Sequence, residues 1–463
     1  MTDGKDQKMQ DPAAGLLARI FRLFDREDIA YCVLHGYERL NQEITSDVDC
    51  LIERNVKPHA LLQLLCQNHD TIGADVVQQN DYYFVLAVPS GGSFRFLQLD
   101  FYTDCTVDGM RVLSGDKILA SRRQHDGFWI PAPEMEFVAY LLRILDQDKL
   151  TDERIGRLTR ALHQTPAAAQ DLLTTIFGDQ DASQIVAAAQ SGNWSSVRNQ
   201  APEICQTLRK RVLSGHPFAP AAVAARTFLK RMKRLVQPSG VSVAFLGPDG
   251  AGKSSVVREL PARLAPALPW HTLRGFAPSL RGLLSPAASQ RQTDTPHLLQ
   301  PRSAPLTVVR ICYWLVFNLV SRLLLRVSVA GPCLLMYDRH FVDILVDQRR
   351  YRYAGPTWVL RVLCKLAPRP DLVIVLDAPA AILQSRKQEV PLEVTAQHCA
   401  AYRKLAQEVA QAKIVDAAQP LSDVMNEVTS LVIDRLRRRM RRRAGDETKR
   451  TGWAETSLSR AAN

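Results

Sequence analysis

The octapeptide Gly247-Pro248-Asp249-Gly250-Ala251-Gly252-Lys253-Ser254 limits what this chain can fold into more than any other feature, because it satisfies G-x-x-x-x-G-K-[ST]. Val241 to Leu246, just before it, is an apolar run that predicts a strand, and the residues after it predict a helix. A glycine-rich turn between strand and helix lets consecutive backbone N–H groups face an anion, and the helix adds its positive N-terminal end. The pattern therefore implies a phosphate ligand cradled by Gly247, Asp249, Gly250, Ala251, Gly252, Ser254 and Ser255. Lys253 belongs on the β/γ-phosphates and Ser254 on Mg2+.

Two further apolar runs predict strands that end in charge: Cys333 to Tyr337 leads into Asp338-Arg339, and Leu372 to Leu376 into Asp377. In an open parallel sheet the ligand lies outside the carboxyl ends of the strands, so Asp338, Arg339 and Asp377 converge on the phosphate loop. An acid there binds Mg2+ or orients an acceptor, and an arginine neutralises a phosphoryl group in transfer. The competing interpretation of Asp338-Arg339 is a structural ion pair.

Taken in order, Phe245 to Ser254, Tyr337-Asp338-Arg339-His340, Pro370-Asp371-Leu372 to Asp377 and Arg386-Lys387-Gln388-Glu389 resemble the thymidylate kinase family. The resemblance covers about residues 240 to 435. It implies a kinase that transfers the γ-phosphate of ATP, with Mg2+, to a nucleotide monophosphate or a related small acceptor. By position, Lys253, Asp338, Arg339 and Arg386 would be catalytic, Asp249 would touch the acceptor, Asp338 would share the metal with Ser254, and Arg386 with Lys387 would form a lid. The acceptor side departs from the family. Thr272 to Pro278 stands where Thr-Arg-Glu-Pro-Gly is usual, and Phe341 to Asp347 where Ser-x-x-Ala-Tyr-Gln is usual. The pattern is closer to divergent members that accompany bacterial polysaccharide genes. Arg349-Arg350-Tyr351-Arg352-Tyr353 interleaves cations with aromatics, which suits either an anionic acceptor or a solvated basic loop.

A second constellation lies near the N-terminus. Asp47 and Asp49 flank one residue of a predicted strand and share a face, and Asp100 falls on the second arm of a predicted hairpin, Tyr82 to Val88 and Phe94 to Tyr102. Three such acids can hold metal ions that activate a hydroxyl. With His35-Gly36-Tyr37 before them, they resemble the nucleotidyltransferase superfamily, although Tyr37 replaces the usual small residue.

The expected architecture is α/β: a mixed nucleotidyltransferase-like domain over 1–125, a helical connector over 126–239, and a three-layer P-loop domain with a parallel sheet over 240–443. A polar, disordered tail over 444–463 completes it. At 463 residues and 46% hydrophobic, the chain has enough apolar residues for several cores. Its net charge is +12, and seven arginines without an acid lie between Arg435 and Arg443. That concentration points to an anionic membrane surface, or simply to a solvated helix end, and makes nucleic acid an unexpected partner for the whole chain. Nine scattered cysteines without a C-x-x-C pair, and a start without an apolar leader, predict a cytoplasmic protein, with peripheral membrane contact admitted. Val308 to Val329 is interrupted by Arg310, Asn318, Arg322 and Arg326 and predicts a buried helix; Ser285 to Pro305 predicts a long loop. A small-molecule acceptor is the expected partner, and a homodimer is admitted. Two other functions fit the same residues: a nucleotidyltransferase whose P-loop only binds nucleotide, and a non-catalytic ATP-gated adaptor at a membrane or assembly.

Overall fold

The computed structural model describes residues 11–146, 151–275, 303–388 and 390–460. The protein is α/β and divides into two units, one of residues 1–90, 94–231 and 440–463, the other of residues 91–93 and 232–439.

The first unit opens with α1 (Pro12–Arg26), where Asp11 caps the helix by accepting from Ala13 N. Leu16, Leu17, Ile20, Phe21 and Phe24 recur at helical spacing and are all buried. Strands β1 (Tyr31–Val33), β2 (Val48–Ile52), β3 (Asp75–Asn80), β4 (Tyr83–Ser90) and β5 (Ser93–Tyr102) form one sheet in the order β1-β2-β5-β4-β3. Helices α2 (Pro58–Gln67) and α3 (His69–Ile72) connect β2 to β3. Strand β2 is antiparallel to β1 and parallel to β5, and that register sets Asp49 opposite Asp100. Two small hairpins follow, β6 (Asp104–Val107) with β7 (Met110–Ser114) and β8 (Arg123–His125) with β9 (Phe128–Ile130), separated by α4 (Gly115–Ala120).

Helices α5 (Pro133–Asp146), α6 (Asp152–Gln164), α7 (Pro166–Phe177), α8 (Asp179–Ser191) and α9 (Ser195–Gly215) follow, and then α10 (Ala219–Val236). The chain divides between the units within α10, after Arg231. Phe137, Leu141, Leu173, Trp194 and Leu208 share one buried core with Cys32 and Leu51 of the sheet. The helical stretch thus packs as part of the strand-bearing unit.

The second unit holds β10 (Val241–Leu246), α11 (Lys253–Leu264), β11 (Trp270–Gly275), α12 (Ala304–Ala330), β12 (Cys333–Asp338), α13 (Thr357–Leu366), β13 (Leu372–Asp377), α14 (Ala380–Arg386), α15 (Leu392–Glu408) and β14 (Ala412–Asp416). Helix α16 (Leu421–Arg460) follows. The sheet is parallel throughout, in the order β11-β12-β10-β13-β14. Its strands read as continuous apolar runs because their residues are buried nearly throughout, as at Val243, Phe245, Leu335 and Ile374.

One expectation is corrected here. Helix α12 forms over the expected run, but it is not a buried helix. Ile311 and Leu315 are buried, whereas Leu306, Val309, Tyr313, Val316 and Val320 are exposed. The helix packs on β12 and α13 while those five apolar side chains stay exposed, so its apolar composition overstated its burial. The loop expected over 285–305 lies almost entirely outside the described residues. In α16, Val424, Val428, Val432 and Leu436 are buried and Leu431 is half-buried. Its backbone continues as helix through Arg460, across the segment expected to be disordered. Among the described residues, no helix is long and apolar enough to cross a membrane.

Candidate functional site

Strand β10 occupies the middle of the second sheet, with β12 on one side and β13 on the other, and the glycine loop leaves its carboxyl end. Gly247, Gly250 and Gly252 have φ of +141°, +83° and +85°, a region that side-chain-bearing residues rarely enter. The loop is also crowded. A Cβ on Gly247 would lie 2.3 Å from Leu376 O, and one on Gly250 would lie 2.9 Å from Leu383 O. Helix α11 starts at Lys253, so its free N–H groups face the turn, and Ser254 is exposed beside it.

Lys253 is buried and donates to Gly247 O at 2.7 Å and Pro248 O at 2.8 Å. Burial, assisted by the Arg339 guanidinium, pushes its ammonium down to about 8, while Asp249, Asp343 and Asp338 oppose that shift. The ammonium is therefore held by loop carbonyls at the place where the motif needs a phosphate partner.

Asp338 and Arg339 leave the end of β12, and Asp338 stands level with Phe245 of β10. Arg339 has φ of +85° and its backbone N–H donates to Phe245 O, which keeps the residue against the phosphate loop. Its guanidinium donates to Asp249 at 2.9 Å and to Asp343 at 3.3 Å. Arg350 reaches the other oxygen of Asp249 at 2.5 Å. Asp343 is buried and also accepts from the hydroxyls of Tyr351, at 2.6 Å, and Tyr402. Burial would depress Arg339, but Asp343, Tyr351 and Asp249 outweigh it and hold the guanidinium charged. Two arginines and two aspartates thus alternate beside the phosphate loop, an arrangement that can rearrange around an anionic acceptor.

Across β10, Asp377 ends β13; its Oδ2 accepts from Arg403 at 2.6 Å. Its Oδ1 is buried without a hydrogen-bond partner among the described residues. Arg386 ends α14 and donates to Ala417 O at 2.8 Å, so its guanidinium is engaged by backbone. Lys387 lies near the loop, with its Cβ 3.5 Å from where a Cβ of Gly250 would stand. Arg350 is no solvated loop residue, since its guanidinium is largely buried against Asp249. The role of Asp343 was not legible, although its place four residues after Arg339 was a weak signal.

Asp49 is buried and bridges His35 Nε2 at 3.2 Å and Arg143 Nη1 at 2.6 Å. Burial alone would raise its carboxyl, but His35 and Arg143 hold it below its ordinary value. Tyr102 donates to Asp100 at 2.8 Å and stands 3.1 Å from Asp49, under the Arg143 guanidinium. Burial pushes Asp100 up to about 6. Asp47, ahead of β2, is exposed. Among the described residues, no three His, Cys, Asp or Glu side chains group so as to hold a metal ion. Asp49 and Asp100 stand level on neighbouring strands, and the cation paired with Asp49 is Arg143 from α5. Tyr37 turns inward, donating to Glu136 at 2.8 Å.

The C-terminal basic run is engaged along most of its length. Arg435 pairs with Asp371, Arg437 and Arg438 with Asp434, and Arg441 with Asp75. Arg439 donates to the carbonyls of Gly240 and Ser239.

No protein-family model matches the chain, and no curated protein matches it either. Among solved structures, the thymidylate kinase of Candida albicans is similar at a TM-score of 0.32 and 16% identity, over 43% of this chain and 93% of that one.

Proposed function

We propose that the second unit is an ATP-dependent phosphotransferase acting on a small anionic acceptor. The observation that carries this reading is a phosphate loop with a buried lysine, set beside the paired guanidiniums of Arg339 and Arg350. The donor residues fit ATP: three glycines hold the loop open, Lys253 stands where β/γ-phosphate charge would replace carbonyl partners, and Ser254 is exposed at the start of α11. Ser254 and Asp338 would hold Mg2+, which supplies charge neutralisation between phosphates. On the acceptor side, Asp249 keeps Arg339 and Arg350 together, and Asp343 with Tyr351 and Tyr402 fixes the first of them. Arg339 neutralises charge on the transferred group and Arg350 binds the acceptor's anion. Catalysis on this account is positioning and electrostatics, as phosphoryl transfer demands. A thymidylate-like nucleotide monophosphate is the first acceptor to try.

The test supplies γ-labelled Mg-ATP with thymidylate, a pool of other nucleoside monophosphates and a pool of sugars. Label should move to one of them, and Arg350→Ala should raise the acceptor KM by about tenfold or more. Label that passes only to water, with any acceptor, would remove the acceptor half of the proposal.

A nucleotidyltransferase role for the first unit is the second reading. The level placement of Asp49 and Asp100 on parallel strands favours it. The salt bridge from Arg143 opposes it. An ATP-gated adaptor without transfer is the third, and slow ATP turnover that no acceptor stimulates would support it.

A further inference from the structure

The first unit carries a cavity of about 1000 Å³ beside the turn between α9 and α10, lined wholly by residues of that unit. Three contacts hold the helical wall of this cavity to the strands. Arg209 of α9 pairs with Asp108 in the β6–β7 turn, Val223 of α10 lies 3.1 Å from where a Cβ of Gly109 would stand in the same turn, and Lys230 of α10 reaches Asp81 in the β3–β4 turn at 2.6 Å. On the sheet side, Tyr82 donates to Val56 O at 3.0 Å and Lys57 to Arg54 O at 3.2 Å, which fixes the loop after β2. Arg54 donates to Asp104 at 2.5 Å, and its Nε is buried without a hydrogen-bond partner among the described residues.

The lining is cationic. Arg54, Lys57, Arg111, Arg226 and Lys230 contribute five cations, against the carboxylates of Asp81 and Asp104. Lys230 and Arg54 take those two carboxylates, so Lys57, Arg111 and Arg226 line the cavity with no carboxylate partner among the described residues. They come from three separate elements, the loop after β2, β7 and α10, and an anion among them would relieve their mutual repulsion. A smaller cavity of about 480 Å³ shares Arg54 and Arg111 and adds Lys117 and Arg211 against Asp116 alone, so the cationic lining continues past Arg111. Much of the remaining lining is apolar or aromatic, including Tyr102, Met110, Val212 and Val223. A concave site of ligand size that sets a few convergent charges against an apolar wall suits an anion with an organic body.

We propose that this cavity binds an organic phosphate ester, with Lys57, Arg111 and Arg226 receiving the phosphate and an apolar or aromatic body lying against Met110, Val212 and Val223. A phosphate fits these groups better than a carboxylate does. Its oxygens accept from several donors at once, whereas a single arginine fork satisfies a carboxylate. The apolar wall favours an ester over the bare ion, because only the ester removes that wall from water. The site lies apart from the phosphate loop and stands whether or not the second unit transfers phosphate.

Calorimetric titration of the full chain with naphthyl phosphate tests the proposal, with inorganic phosphate and naphthoate as probes of the two halves. The ester should bind saturably, and each partial probe should bind about tenfold more weakly or worse. Arg111→Gln with Arg226→Gln should weaken the ester by about tenfold or more. Both side chains are exposed, so the thermal melt of this variant should match the wild type. Lys253→Ala should leave the affinity for the ester unchanged, which separates this site from the phosphate loop. An absence of saturable binding would overturn the proposal, as would equal affinity for either partial probe. Binding that Lys253→Ala abolishes and the double arginine variant keeps would place the ester on the phosphate loop and overturn it too.

Discussion

Lys253 is the residue on which the donor side turns, and its protonation makes it testable. Its ammonium titrates near 8 in the folded protein against an ordinary 10.5. The unfolded chain therefore binds more protons between those values, and stability rises with pH through that window. A bound triphosphate would restore the lysine's charge, so ATP binding above pH 8 should take up close to one proton. Calorimetry in buffers of different ionisation enthalpy measures that uptake, and Lys253→Met should abolish it. Asp100 has the opposite sign. Its carboxyl ordinarily titrates at 3.8 and here near 6, so the folded protein holds the proton longer and loses stability as pH rises through 6. Asp100→Asn should then stabilise the protein at pH 7 by roughly 1–3 kcal/mol, with a smaller gain at pH 5. Denaturant midpoints at the two pH values read the difference.

At the scale of elements, the glycine loop was legible because one octapeptide encodes the turn between β10 and α11. Strands β10, β12 and β13 were legible because they are buried on both faces and so appear as unbroken apolar runs. Strand β3 was not, since Asp75-Val76-Val77-Gln78-Gln79-Asn80 breaks alternation and a register shift falls between Val76 and Gln78. Helix α12 carried an apolar composition with no sign of which side would find a partner. The loop itself yields a graded prediction. Gly247→Ala places a Cβ against Leu376 O, whereas Gly252→Ala meets only an unfavourable φ in open space. The first should cost several kcal/mol and abolish ATP binding, and the second roughly 1 kcal/mol with binding weakened. Melting temperatures and ATP affinities of the two variants check the order.

For the whole molecule, what a sequence hides is which distant residues meet. Asp49 was legible as an acid on a strand, but Arg143 lies ninety-four positions further on, in a helix with no catalytic spacing of its own. A hundred and one residues likewise separate Arg350 from Asp249. Charge was misleading in a similar way. The seven arginines near the C-terminus dominate the sequence, yet internal carboxylates and carbonyls hold most of them. On the proposed function, the chemistry belongs to the phosphate loop and not to the N-terminal acids. Acceptor-stimulated release of ADP, measured side by side for wild type, Lys253→Ala and Asp49→Ala, tests it most directly. Lys253→Ala should lose at least about a hundredfold in rate while Asp49→Ala, if folded by circular dichroism, keeps most of it. A folded Asp49→Ala without activity, beside a Lys253→Ala that retains it, would contradict the account.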